Sequence, residues 1–320
     1  MKPQKRKFSS PKSNEKRNAS SPKEITPGLL KKWPLPQPDE ESDKEERGRV
    51  LILGGSTEMP GAVILAAVAA LRAGAGKLRI ATCSSIARSI AVAVPESRVI
   101  ALEETEEGCV SPSAAKMVAD SANRVQALLF GPGMIGGEDL INLALRVLKG
   151  LHEPTLVLDA DALACLRKRP ACLHRLKMKA VLTPNAEEMA EMLGLKKKEI
   201  TGGAASITRR AAHEFRAIVA LKGAETFVAS PAGEVFVNHT RNVGLATSGS
   251  GDVLSGIIAG LAARGATPLQ AAIWGVHLHA RAGDALARRV GPLGFLAREI
   301  LAEIPALMAS LNTRQRKGKR

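Results

Sequence analysis

The stretch Asn242-Val-Gly-Leu-Ala-Thr-Ser-Gly-Ser-Gly-Asp252-Val-Leu-Ser-Gly-Ile-Ile-Ala-Gly-Leu261 carries the strongest chemical signal in the chain. A glycine-rich loop runs into an apolar helix without a break. Gly249, Ser250 and Gly251 leave backbone N–H groups bare at the helix start. With the helix dipole they form an anion hole, most simply for a phosphate. Asp252 falls in the first turn, beside that anion, where a carboxylate can take a proton from a hydroxyl. An Asp at this place is also an ordinary helix cap. The glycines before it favour a site.

Three other constellations could do chemistry. Asn185 and Glu188 stand three apart on a strand-to-helix turn, so they share a helix face and could hold a hydrated magnesium ion beside phosphates. The same spacing makes a capping box that needs no metal. Lys222-Gly-Ala-Glu-Thr226 could meet a nucleotide with an ammonium, loop N–H groups and a hydroxyl, or be a plain turn. Asp159 and Asp161 end a strand; one is expected to face a ligand and the other to cap the following helix. His277 and His279 are two apart on a helix, face different sides, and read as structural.

Repeated strand–helix units position these residues. Arg49–Leu53 is a continuous apolar run ending in Gly54 and Gly55, the pattern of a buried parallel strand. Pro60 and Gly74 bracket an apolar helix. Gly74-Ala-Gly-Lys77 only superficially resembles a P-loop: the first glycine is missing and Leu78 replaces the magnesium-binding hydroxyl. Further strands are predicted at 77–82, at 127–133 ending in a turn, at 155–161 ending in two carboxylates, at 180–185 leading into a helix, and at 218–223. A hairpin follows at 226–238, then helices at 252–263, 268–289 and 297–311. The pattern is a mostly parallel sheet covered on both faces, with an antiparallel hairpin at one edge. The glycines, Asp159, Asp161, Asn185 and Lys222 all fall at C-terminal strand ends, where ligands of such sheets bind.

Composition narrows the class. The chain has 320 residues, is 45% hydrophobic and has no Tyr, so a large core must be built from aliphatic residues. No apolar run predicts a membrane span or a signal core. The four cysteines form no CxxC pair and read as reduced thiols of a cytoplasmic protein. The net charge is +15. Residues 1–47 contribute 12 basic and 8 acidic residues, and Asn312–Arg320 five basic ones, so more than half of the excess lies in the tails. That argues against a basic nucleic-acid groove in the body. The expected organisation is a disordered charged tail at 1–47, one domain at 48–311 and a basic tail at 312–320.

Seven motifs in order resemble the ADP/ATP-dependent NAD(P)H-hydrate dehydratases. They are the runs beginning Leu53-Gly-Gly-Ser, Ala70-Leu-Arg-Ala, Gly131-Pro-Gly, Leu158-Asp-Ala-Asp, Leu182-Thr-Pro-Asn, Leu221-Lys-Gly-Ala and Ala246-Thr-Ser-Gly. The resemblance covers about residues 48–310. It implies a ribokinase-like three-layer α/β/α fold and a repair reaction on the S epimer of hydrated NADH or NADPH (NADHX, NADPHX), with ADP or ATP as phosphoryl donor and Mg2+. On this resemblance Asp252 is the catalytic base. Ala62, Gly133, Asn185 and Asp252 contact the hydrated cofactor, and Lys222, Gly223, Ala224, Glu225, Thr226 and Gly251 bind the nucleotide. Asn185 and Glu188 match the superfamily's magnesium motif, acting through water. Asn185 stands where the family usually has His, and Ser248 where it usually has Gly. The family also implies a homo-oligomer, often a tetramer, and an epimerase, which here would be a separate chain. The alternative is a small-molecule kinase of the same fold, since fold and phosphate chemistry do not fix the acceptor.

Overall fold

The computed structural model describes residues 21–38 and 47–311. The expected C-terminal tail at 312–320, like residues 1–20 and 39–46, lies outside the described residues.

Seven parallel strands form the body of the sheet: β2 (Arg49–Leu53), β3 (Lys77–Cys83), β4 (Ser97–Leu102), β5 (Ala127–Phe130), β6 (Thr155–Leu158), β7 (Ala180–Leu182) and β8 (Ile218–Leu221). Short apolar runs bounded by glycine and proline become strands buried on both faces, and β5 and β8 are buried at every residue. The hairpin of β9 (Thr226–Ala229) and β10 (Val235–Asn238) adds the antiparallel element. With β1 (Lys23–Glu24) the order is β1-β10-β9-β8-β7-β6-β5-β2-β3-β4. The chain leaves β2 toward β4 and then returns past it through β5, so the order reverses between β2 and β5. A crevice for ligands opens at such a reversal, beyond the C-terminal strand ends.

Alternate strand residues feed two separate cores. Val50 and Ile52 point to one, and Leu51 and Leu53 to the other. The first is covered by α2 (Pro60–Arg72), α10 (Ser250–Ala263), α11 (Pro268–Arg289) and α12 (Ala297–Leu311). The second is covered by α4 (Ala115–Ala122), α5 (Glu138–Gly150), α7 (Ala186–Leu193) and α9 (Ala204–Phe215). This is the expected three-layer arrangement. Helices α2 and α10 cross at nearly backbone contact. A Cβ on Gly256 would lie 2.3 Å from the Ala66 carbonyl oxygen, and one on Gly260 2.3 Å from that of Ala70. The alanines and glycines of these helices therefore set the depth at which α10 sits under the sheet.

Two expectations are corrected. Residues 21–38, read as part of a disordered tail, are folded onto the domain. β1 pairs with β10, and α1 (Pro27–Lys32) begins at Thr26, whose hydroxyl caps Leu29 N–H at 3.2 Å. Ile25, Leu30 and Leu35 are buried in the first core. Lysines and prolines around these few apolar residues mask their pattern in the sequence. For the same reason the hairpin is not the edge of the sheet, because β1 lies outside it.

Candidate functional site

The C-terminal ends of β6, β7 and β8 bring three side chains together. Asp159 follows β6 and is 2% exposed. Thr183, after β7, donates its hydroxyl to Asp159 Oδ1 at 2.7 Å. Lys222, after β8, places Nζ 2.9 Å from the same oxygen and 3.7 Å from Glu188 Oε2. Burial alone would lower the Lys222 pKa; Asp159, Glu188 and Asp252 outweigh it and hold it raised. The ammonium is thus fixed as a cation at the rim.

Helix α10 starts beside it. Gly249 is the N-cap in the left-handed region (φ 85°), and no side chain caps the helix. A Cβ there would be strained and would meet Leu65 Cδ1 at 2.5 Å. Ser250 N–H donates to the Thr247 carbonyl oxygen at 3.2 Å, so the N–H groups left to meet an anion are those of Gly249 and Gly251. A Cβ on Gly251 would lie 3.3 Å from Lys222 Nζ, so the ammonium and the helix start face one space. Asp252 lies in that first turn. Burial pushes its pKa up to about 7, with Asp159 and Glu188 adding to the rise and Lys222 opposing it. A carboxylate poised near neutrality is suited to take a proton and return it.

Asn185 caps α7 in a closed capping box. Its Oδ1 accepts from Glu187 N–H (2.8 Å) and Glu188 N–H (3.0 Å), and Glu188 Oε2 accepts from Asn185 N–H at 2.6 Å. Of the two alternatives of the spacing, the capping box is formed, and Glu188 also faces Lys222. Asn185 Oδ1 is fully used, which leaves the Glu188 carboxylate as the group able to reach toward a cation through water. Burial raises the Glu188 pKa, and Lys222 works against the rise. Among the described residues no group of three or more His, Cys, Asp or Glu is arranged as a metal cage.

Residues 222–226, expected to meet the nucleotide, lead from the end of β8 into β9. Glu225 is held by His239 Nδ1 (3.0 Å) and Arg241 Nη2 (2.9 Å), which lower its pKa. Farther along the rim, Ala62 and Gly133 meet: a Cβ on Gly133 would lie 2.8 Å from Ala62 Cβ. They stand where the strand order reverses. Asp161 is not part of the cluster and accepts Gly136 N–H at 2.6 Å. Sequence reasoning did not find Thr183, whose role depends on strand adjacency. It set aside His279, which the structure places behind Ser250 with Nε2 3.0 Å from the hydroxyl oxygen. A cavity of about 540 Å3 at the opposite strand ends, lined partly by Arg49, Arg124 and Lys179, shares no residue with this rim.

An uncapped helix start, an ammonium and a near-neutral carboxylate at the C-terminal edge of a three-layer sheet form an arrangement suited to a phosphoryl group. The fold matches a ribokinase-like superfamily protein from Enterococcus faecalis V583 with a TM-score of 0.78, covering 90% of this chain and 96% of that one at 24% identity. A sequence model described as NAD(P)H-hydrate dehydratase matches residues 50–306, and the chain belongs to that family. It is 45% identical over 287 residues to the ADP-dependent (S)-NAD(P)H-hydrate dehydratase of Xanthomonas campestris pv. campestris, spanning 90% of this chain and 96% of that protein. It is also similar to the crystal structure of the ADP/ATP-dependent NAD(P)H-hydrate dehydratase from Bacillus subtilis co-crystallised with ATP/Mg2+. There the TM-score is 0.77 and the identity 29%, with 92% of this chain and 99% of that one covered.

Proposed function

We propose that this chain dehydrates the S epimer of NADHX or NADPHX to NADH or NADPH, using ADP or ATP. The observation that carries the reading is Asp252 in the first turn of an uncapped helix, facing the space that Lys222 also borders. Asp252 takes the proton of the hydrate hydroxyl, and the oxygen attacks the terminal phosphorus of the nucleotide as the bridging P–O bond breaks. N–H groups of Gly249 and Gly251 and the Lys222 ammonium stabilise charge on the transferring phosphoryl group. Loss of inorganic phosphate and a ring proton then restores the nicotinamide double bond.

Lys222, Gly223, Ala224, Glu225, Thr226 and Gly251 bind the nucleotide. Ala62, Gly133, Asn185 and Asp252 border the hydrated cofactor. Glu188 holds Mg2+ through water, where the ion supplies charge neutralisation for the phosphates. The Moorella thermoacetica relative, 38% identical, is a bifunctional NAD(P)H-hydrate repair enzyme of which this chain spans 52%. That supports a separate epimerase as functional partner. Reduced cysteines support a cytoplasmic setting, and among the described residues no helix is long and apolar enough to cross a membrane. A homo-oligomer, expected as a tetramer, is testable by light scattering. The activity is tested by adding the protein, Mg2+ and ADP or ATP to chemically hydrated NADH. Nucleotide-dependent recovery of the reduced-nicotinamide absorbance is expected. A stable phosphorylated product without that recovery refutes the assignment.

A further inference from the structure

Ser250, the first residue of α10, is 5% exposed. His279, from the middle of α11, brings a single ring nitrogen to it twice. Nε2 lies 3.0 Å from the Ser250 hydroxyl oxygen and 3.0 Å from the Ser250 carbonyl oxygen. A carbonyl oxygen only accepts, so its approach requires a hydrogen on Nε2. In the opposite tautomer the Nε2 lone pair could take the Ser250 hydroxyl proton but would face the carbonyl lone pair at 3.0 Å, a repulsive contact in a buried place. The ring is also neutral. Burial holds its pKa down at about 4, and the Lys222 ammonium acts in the same direction. A neutral ring has one N–H. With that hydrogen on Nε2, the nitrogen has no lone pair to offer, so the hydroxyl oxygen at the same distance must accept from it too. The hydroxyl's own proton is then unused.

We propose that His279 is a positioning residue: as the Nε2–H tautomer it makes Ser250 Oγ an acceptor and so leaves the Ser250 hydroxyl proton to donate to the phosphoryl group at the start of α10. This rests on reading that helix start as the phosphoryl site. It adds a side-chain donor to a site otherwise built from backbone N–H groups and Lys222. Such a donor counts most as charge develops on the transferring oxygens. In the other tautomer Ser250 would spend its proton on the imidazole and offer the anion only lone pairs.

Two readouts on the full-length protein test this. Histidine ring 15N spectra, with His279→Gln assigning the signal, report the tautomer without reference to any substrate. A protonated Nε2 and a bare Nδ1 are expected; a protonated Nδ1 overturns the proposal. The second readout is a double-mutant cycle on nucleotide-dependent NADH recovery. Ser250→Ala and His279→Leu each lower kcat about tenfold, with the nucleotide KM within about twofold, because the first removes the hydroxyl donor and the second the hydrogen bond that orients it. The double variant is no slower than the singles. His279→Gln, whose amide N–H reaches the same two acceptors, regains most of the rate. Additive losses, or equal losses in the Gln and Leu variants, overturn the role. If the Leu variant does not fold, the ring spectrum and the Gln variant decide. A wild-type protein that shows the Nε2–H ring but no NADH recovery overturns the proposed activity and leaves the hydrogen-bond assignment standing.

Discussion

Lys222 Nζ lies 2.9 Å from Asp159 Oδ1, and this ion pair, not one with Asp252, holds the ammonium at the rim. Asp159 is almost fully buried, and its other partner at that oxygen is the Thr183 hydroxyl. Lys222→Met strands a buried carboxylate and should cost about 3 kcal/mol of stability. Adding Asp159→Asn should recover most of that loss in a denaturant titration. Neither variant should recover nucleotide affinity, which should fall about tenfold for want of the cation. Restored binding in the double variant would place the nucleotide elsewhere.

Asp252→Asn should abolish turnover, by at least about a hundredfold, because an amide cannot accept the hydroxyl proton. Nucleotide affinity by calorimetry should stay largely intact. Near-normal turnover would remove Asp252 as the base.

The raised pKa of Asp252 also sets a pH limb. The base must be ionised, so kcat/KM should fall as pH drops through about 7. A wild-type profile flat down to pH 5 would contradict this. His279, with a pKa near 4, contributes nothing to that limb.

The same carboxylate has the opposite effect on stability. Its folded pKa lies above the ordinary Asp value, so the folded state binds the proton more tightly. The stabilisation from that proton is complete below about pH 4 and is lost as pH rises through about 7. Without ligands, Asp252→Asn should therefore be more stable than wild type at pH 8, on the order of 2 kcal/mol after discounting for partial exposure. The two should converge at pH 4. Thermal melts at both pH values check the sign.

Leu30 is fully buried although it lies before the matched family region. Leu30→Ala should cost about 2–4 kcal/mol, as in any core position. A loss under about 0.5 kcal/mol, the range of surface changes, would mean that the segment does not dock.

Most of the parallel sheet was legible because strands such as β2, β5 and β8 are uninterrupted apolar runs; β4, mostly not buried, was not read. Pro60, Pro268 and Gly194 marked helix ends. The rim was legible because ligand residues follow strand ends: Lys222 after β8, Asn185 after β7, Asp159 after β6. Contacts across strands were not. Thr183 and Asp159 are 24 residues apart, and only the pairing of β6 with β7 brings them to 2.7 Å. His279 and Ser250 are 29 apart and meet through helix packing. The amphipathic helices α5 and α9 were within reach of a periodicity count. Residues 21–38 were not, since Ile25, Leu30 and Leu35 sit at no helix or strand period.

The N-terminal segment has its partners at the far end of the chain. Lys23 pairs with Phe236, and the Trp33 carbonyl accepts from Trp274 Nε1 at 2.9 Å, across 241 residues. During synthesis that segment precedes β10 and α11 and cannot make these contacts until both have emerged, so it closes as a clasp over strands already made. A chain halted before Trp274 would hold residues 222–226 and the start of α10 and still lack the indole N–H that fastens the Trp33 carbonyl.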